Sequence, residues 1–441
     1  MSERAGEMSA RRFRYSIFMT AGTEFVIAIL SFITGVLTAR LLGPRDQGIF
    51  SLVTVLPTTL TMLTYLGLVQ ANVYFVGQDE NSRRAMTANS LWFAAGIGGI
   101  TDAVMILGRD FITQTFFQGI SPALFLAIAC LAPVFLLDTY LLAIVQGVER
   151  FDLFNFRRLL TPLLTLVGTV LAVGLLGQGL RGAILVQSGV ILATTSWLAF
   201  VFGRVIVPFS FGFDKKLAKD TLIYGAKAYI QNLTIHLLYR ADLYLLALFR
   251  GAEEVANYAI AMSLVRIIWY LPDSVGLVLF PRLARMSESS GRRFTVIVCR
   301  WTLLVTAGAA LALAATGWVL IPFLYGADYS GALRPLLILL PGAVVMTAYK
   351  VVVRDFVSRD SQRMPILTSV MGLAVNIVLN LVLIPKFGTA GSALAAILSY
   401  FTATGGLLLV FTIESGVRLH EVALVRRSDL EPHSANLRRQ L

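Results

Sequence analysis

Five polar side chains on one apolar stretch are the residues best placed to meet a ligand. At 100° per residue, Tyr229, Asn232, His236, Tyr239 and Arg240 share one helical arc of about 100°. Farther along, Ser263, Arg266, Tyr270 and Asp273 fall on a single face by the same reckoning, and near the N-terminus Thr20, Glu24, Ser31 and Thr38 line another. The chemistry these types offer is recognition rather than bond making. Arg240, Arg266 and Lys227 attract an anion; Tyr229, Asn232, His236 and Tyr270 exchange hydrogen bonds with it; Glu24, Asp242 and Asp273 balance charge or bind a coupling cation, Na+ or H+. The competing reading is internal ion pairing, above all for Arg240 with Asp242, and snorkelling to the interface for Lys227. Asp102 and Asp138 stand isolated on their stretches and read as structural.

Catalytic constellations are missing. The histidines besides His236 are His420 and His433, both near the C-terminus, so neither a metal-ligand cluster nor a Ser, His, Asp arrangement can be drawn. There is no G-x-x-x-x-G-K-[ST] phosphate loop. The run Gly177-Gln178-Gly179-Leu180-Arg181-Gly182 matches a dinucleotide fingerprint in letters, yet it joins two apolar stretches without a preceding strand and reads as a turn. Cys130 and Cys299, the two cysteines, lie in or beside apolar runs and offer neither a disulfide framework nor a metal site. The expectation is a protein that is not an enzyme and has no cofactor beyond a coupling cation.

The elements that must position these side chains are membrane helices. Of 441 residues, 57% are hydrophobic and 14% charged, against roughly 45–50% and about 25% in soluble domains. Apolar runs of about 20 residues recur, each able to cross about 30 Å of hydrocarbon. Spans are expected near 17–39, 48–76, 85–107, 122–146, 159–177, 181–203, 220–249, 255–280, 301–321, 331–353, 364–384 and 389–413. The first follows Arg11, Arg12 and Arg14 like a signal peptide but is too long for one, and it reads as an uncleaved span.

Loop charges orient the spans. With the N-terminus inside, the inner loops and both tails hold 25 Lys and Arg, among them Arg83, Arg157, Arg158 and Arg354, while the outer loops hold seven. That bias predicts both termini in the cytoplasm. The net charge of +12 is spread along the chain rather than gathered on a water-exposed module, which argues against nucleic acid. The connections are too short for a folded outer domain, and this disfavours a membrane enzyme with a catalytic loop outside.

An internal repeat organises the chain. Gly43 with Gly251, Phe50 with Tyr258 and Arg84 with Arg292 are 208 residues apart; Val148 with Val357, Arg150 with Arg359, Gly179 with Gly388 and Gly182 with Gly391 are 209 apart. The expected fold is therefore an all-α integral membrane protein of about 12 helices. It has six-helix bundles over 1–210 and 211–413, related by a pseudo-two-fold along the membrane normal, and a basic tail over 414–441. Parallel repeats of this kind belong to transporters, with the substrate between the bundles. Pro57, Pro133, Pro162, Pro272 and Pro341 fall within spans, where each removes a backbone donor and bends the helix.

The stretch Ala39-Arg40-Leu41-Leu42-Gly43-Pro44-Arg45-Asp46-Gln47-Gly48-Ile49-Phe50-Ser51-Leu52, leading to Leu66-Gly67-Leu68, resembles the first outer loop and second helix of bacterial polysaccharide and O-antigen flippases. These belong to the multidrug/oligosaccharidyl-lipid/polysaccharide exporter superfamily. The resemblance continues at Arg240-Ala241-Asp242, at Asn257-Tyr258, and from Asn376 to Pro385 into Gly388-Thr389-Ala390-Gly391-Ser392-Ala393. It implies a V-shaped pair of bundles around a cationic cavity in the bacterial cytoplasmic membrane, taking an undecaprenyl-diphosphate-linked oligosaccharide from the inner face to the outer. Arg240, Arg266 and Lys227 then meet the diphosphate or acidic sugars. Membrane lipid and other polysaccharide assembly proteins are the implied partners. Twelve spans fit this branch better than the lipid II flippases. The rival within the superfamily is a cation-coupled multidrug exporter, with Glu24 holding the coupling ion.

Overall fold

A computed structural model describes residues 2–80 and 82–423, with side chains from Met19 onward except those of Lys227 and Ala423. The part of the expected basic tail beyond 423 lies outside the described residues.

In chain order the helices are α1 (Ser2–Thr64), α2 (Leu68–Gln78), α3 (Ser82–Leu107), α4 (Arg109–Phe116), α5 (Pro122–Ala129), α6 (Ala132–Gly147), α7 (Phe151–Thr169) and α8 (Gly179–Val205). They continue as α9 (Lys215–Phe249), α10 (Ala252–Leu283), α11 (Glu288–Tyr325), α12 (Leu333–Ser358), α13 (Arg363–Phe387), α14 (Thr389–Ser415) and the short α15 (Leu419–Ala423). Among the described residues there is no strand, as expected where lipid leaves each backbone group to be satisfied within its own helix.

Among the described residues ten helices are long and apolar enough to cross a membrane. One of them, Met19–Thr64, has 46 residues, more than twice what about 30 Å of hydrocarbon requires at 1.5 Å per residue. It is two spans. Gly43 breaks it with φ 76°, a left-handed value that side chains avoid, and Pro44 follows without an N–H to continue the ladder. The 35 residues of α9 are long enough for a further span, and what lowers their mean hydropathy is a set of polar and charged residues that includes Lys227, Gln231, Asn232, His236, Arg240 and Asp242. These two adjustments give the twelve spans expected.

The repeat has a backbone counterpart. Gly43 and Gly251 both have positive φ, 76° and 93°, at the break between consecutive spans, and Gly179 and Gly388 match at 55° and 57°. Each pair lies at the predicted offset, so equivalent connections turn the same way in both halves of the sequence. Gly177 and Gly179, both at positive φ, confirm that the fingerprint-like run is a turn.

Helix ends run farther than hydropathy indicates. The stretch 281–300, expected as a loop, is helical except for residues 284–287, and within it Arg292 pairs with Glu288 one turn away and with Glu414. Pro133 stands at the first turn of α6, after a break at Cys130 and Leu131, whereas Pro57, Pro162, Pro272 and Pro341 lie inside helices. Asp102 accepts a hydrogen bond from the Ala132 N–H at 3.1 Å, which caps α6 where α5 has stopped.

The described chain forms two compact units, Met1–Asn257 with Pro322–Tyr329, and Tyr258–Ile321 with Ser330–Leu441. In the first, Val76, Met86, Leu141, Ile144, Val145, Leu198 and Phe202 make one core where α2, α3, α6 and α8 meet, and Tyr65, Leu68, Ala94, Leu136 and Tyr140 make a second. In the second, α14 turns Ala390, Gly391, Ser392, Ala393, Ala396, Ser399 and Ala403 inward against α12 and α13. Small residues let membrane helices approach closely, and a Cβ on Gly391 would collide with the Leu383 carbonyl. Phe25, Leu107, Leu311 and Trp318 point outward, as side chains facing acyl chains do.

Candidate functional site

The predicted stripe on α9 lies against the second segment of α1 within the first unit. Tyr229 Oη donates to the Leu63 carbonyl at 2.7 Å, Asn232 Nδ2 donates to Tyr65 Oη at 3.3 Å, and His236 Nε2 lies 3.0 Å from Thr59 Oγ1. Tyr244, one turn beyond Arg240, donates to the same Thr59 hydroxyl at 3.2 Å. The helical spacing 229, 232, 236 thus meets carbonyl, phenol and hydroxyl partners over residues 59–65, where α1 ends. That end is forced: Leu66 and Gly67 have positive φ, 50° and 76°, and leave the Leu63 carbonyl without its intrahelical partner. Asn232 is exposed, Tyr229, His236, Tyr239 and Arg240 are half-buried, and Asp242 is buried. The side chain of Lys227 lies outside the described residues.

The stripe of the first span turns onto α7. Asn155 Nδ2 donates to Thr20 Oγ1 at 3.1 Å, and Arg158 makes an ion pair with Glu24, both side chains remaining partly exposed. Glu24, expected to bind a coupling ion or to balance charge, therefore has a cation beside it. Next to Arg158 on the chain, Arg157 is the main surprise. It reads as an inner-loop charge but is 2% exposed, and its Nε and Nη2 donate to Asp138 Oδ1 at 3.0 and 2.6 Å. Thr195 donates to the same oxygen at 3.2 Å. Asp138, isolated on its own helix, belongs to a buried cluster joining α6, α7 and α8. Spacing along one helix carries no signal of such a partner.

In the second unit, Arg266, Tyr270 and Asp273 on α10 share a face with Trp269 and Gly276. Asp273 does not stand alone: Lys350 of α12 donates to both its oxygens, at 2.8 and 3.0 Å. The Lys350 ammonium also lies 5.2 Å from the centre of the Trp269 ring, whose Nε1 donates to the Ala343 carbonyl at 3.0 Å. Arg354, one turn after Lys350, rests on the backbone at Gly276; a Cβ there would stand 2.7 Å from Arg354 Nε. Arg266 and Arg354 both add positive potential at Lys350. Arg266 is half-buried and Tyr270 is 42% exposed, so the face is partly open. Sequence reading missed Lys350 and placed Arg354 in a loop, though their spacing of four was a usable sign of one helical face.

Among the described residues no group of three or more His, Cys, Asp or Glu side chains is placed to hold a metal ion. What each unit offers is a face of cationic and hydrogen-bonding side chains on long helices.

Known proteins share the family and the fold of this chain. A family model described as polysaccharide biosynthesis protein matches residues 14–287. An uncharacterized membrane protein of Methanocaldococcus jannaschii is 29% identical over 196 residues, which is 43% of this chain and 38% of that protein. Among solved structures, a lipid II flippase MurJ in an inward closed conformation superposes with a TM-score of 0.76 at 15% identity, covering 92% of this chain and 89% of that one. An inward-facing multidrug resistance MATE family transporter of the MOP superfamily gives 0.69 at 14% identity, covering 88% and 94%. A MOP superfamily transporter from Pyrococcus furiosus gives 0.62 at 15%, covering 92% and 95%.

Proposed function

Because the chain belongs to the polysaccharide biosynthesis protein family, we propose that it moves a lipid-linked oligosaccharide across the bacterial cytoplasmic membrane by alternating access. The cargo is a repeat unit joined through a diphosphate to undecaprenol. The observation that carries the reading is a half-buried guanidinium group in each unit, Arg240 on the 35-residue α9 and Arg266 on α10, in a chain of this family. A charge at mid-bilayer costs about 2.5–3.5 kcal/mol on insertion scales, and it is held where it faces water, a partner or cargo. A diphosphate supplies the complementary charge and the bidentate oxygens that guanidinium prefers. Asn232 and Tyr270, both exposed, add hydrogen-bonding capacity for sugar hydroxyls. In this reading Lys227 contributes further positive charge and Asp242 balances it.

A multidrug exporter selects cations and needs carboxylates turned toward its cargo. Here Glu24 is paired with Arg158 and Asp273 with Lys350, which favours an anionic cargo. Both termini are inside, so the cargo enters from the leaflet that faces the inner loops.

Replacing Arg240 and Arg266 together by Ala tests the reading. The expected outcome is loss of surface polysaccharide with lipid-linked repeat units accumulating at the inner leaflet and protein abundance unchanged. Normal polysaccharide with new sensitivity to cationic drugs overturns it in favour of the exporter.

A further inference from the structure

Lys350 of the second unit holds Asp273, and two further cations, Arg266 and Arg354, stand near the Lys350 ammonium. The other acid on this part of α12, Asp355, is buried and engaged by Arg359 at 2.8 Å. The cluster is unlike the sealed pair of Asp138 and Arg157, where one cation meets one acid.

The geometry within the cluster is asymmetric. Lys350 is held deep, its side chain 14% exposed, with its ammonium over the Trp269 ring; Asp273 is 47% exposed. The cation is fixed and its anion is open to solvent. Because the acid is the more exposed partner, leaving costs it little, and an incoming anion of higher charge that keeps the buried ammonium compensated can replace it. Arg354 Nε is buried and has no hydrogen-bond partner among the described residues. Gly276 is what allows Arg354 this position, since a side chain there would displace it.

We propose that Arg266, Lys350 and Arg354 form an anion-exchange site in which Asp273 is the resident counter-ion, displaced from Lys350 by a phosphate group. The inference rests on the transport reading above and adds to it a residue set on α10 and α12 and a direction for each substitution. In the exchange the phosphate oxygens take the Lys350 donors that Asp273 now accepts, and the Asp273 carboxylate swings to water. No covalent bond changes. The shared ligand chemistry is a phosphate or diphosphate, either on a lipid headgroup or free.

The test uses the full chain in phosphatidylcholine nanodiscs, titrated with inorganic pyrophosphate and followed by calorimetry. Asp273→Asn removes the competing carboxylate and should tighten pyrophosphate binding roughly fivefold. Lys350→Gln and Arg354→Gln should each weaken it, and Gly276→Ala should weaken it in the same sense by displacing Arg354. A purely structural pair predicts the opposite for Asp273→Asn: unchanged or weaker binding together with a lower melting temperature. Either result overturns the exchange. Should Lys350→Gln fail to fold, the double variant Asp273→Asn with Lys350→Gln removes both members of the pair together, and undiminished pyrophosphate affinity in it also overturns the proposal. Adding phosphatidic acid to the discs separates the sources. Loss of pyrophosphate binding in those discs supports a headgroup ligand, and undisturbed binding supports free phosphate. Failure here with polysaccharide still lost in the Arg240 and Arg266 double variant removes the exchange alone, whereas intact exchange with normal polysaccharide removes the transport reading alone.

Discussion

Between Asp138 and Arg157 the first unit holds an ion pair with almost no access to water. Two guanidinium donors and the Thr195 hydroxyl converge on one carboxylate oxygen, so the charges are compensated where they sit. Removing one partner leaves the other buried and unpaired, a cost of about 3–5 kcal/mol. Asp138→Asn should therefore lower the melting temperature of the detergent-solubilised protein and its abundance in the membrane. Asp138→Leu combined with Arg157→Leu should recover most of that loss. A single variant that melts like the wild type would show the pair to be dispensable. The contrast with Asp273 and Lys350 is one of exposure: a carboxylate and its cation make an anchor where both are sealed and an exchangeable contact where the acid is open.

At the scale of elements, α9 is bound to the first unit along its length. Asn89 donates to the Asp214 carbonyl and accepts from the Asp214 N–H, both at 2.9 Å, and Trp92 Nε1 donates to the Phe211 carbonyl at 2.8 Å. The segment 206–214 is thereby strapped to α3 before α9 starts. Ten residues into α9, Gly225 meets Gly67 backbone to backbone, so that a Cβ on either would overlap the other's carbonyl, and Tyr224 stacks on Tyr74 at 4.2 Å. Neither backbone can yield as a side chain end does. Gly225→Ala should destabilise the crossing by about 1–3 kcal/mol, the usual cost of overpacking. Hydrogen exchange should report faster opening at the start of α2 and over residues 221–229, with the α13 and α14 pair unaffected. Unchanged exchange in α2 would mean that this close approach is not maintained in the membrane.

At the scale of the whole molecule, the twelve spans and the loop charges predict which side each connection faces. After replacing Cys130 and Cys299, a cysteine introduced as Gln118→Cys should react with a membrane-impermeant thiol reagent from outside intact cells, and Glu149→Cys should not. Reversed labelling would invert the topology and the direction of transport. Arg157 and Arg354 were both counted toward that topology and are held within the helices, but the remaining inner charges still exceed the seven outer ones by a wide margin. The division into six-helix bundles at 210 and 211 is a statement about repeat and membrane topology. The compact units are set by contact instead, and contact assigns α9 and Pro322–Tyr329 to the first unit.

What the amino-acid order settled alone is whatever depends on one helix at a time. Span number follows from apolar length against bilayer thickness, the turns follow from Gly43, Gly179, Gly251 and Gly388, and the polar stripes follow from the 3.6-residue period. Partners were another matter. That Tyr229 reaches a carbonyl freed by the break at Leu66 and Gly67, that Asp138 closes on Arg157, and that Asp273 is held by Lys350 all depend on which helix lies alongside. A membrane helix satisfies its own backbone, so its sequence records a polar face without recording what that face meets. Only packing, governed by small residues and shape across many helices, decides the meeting.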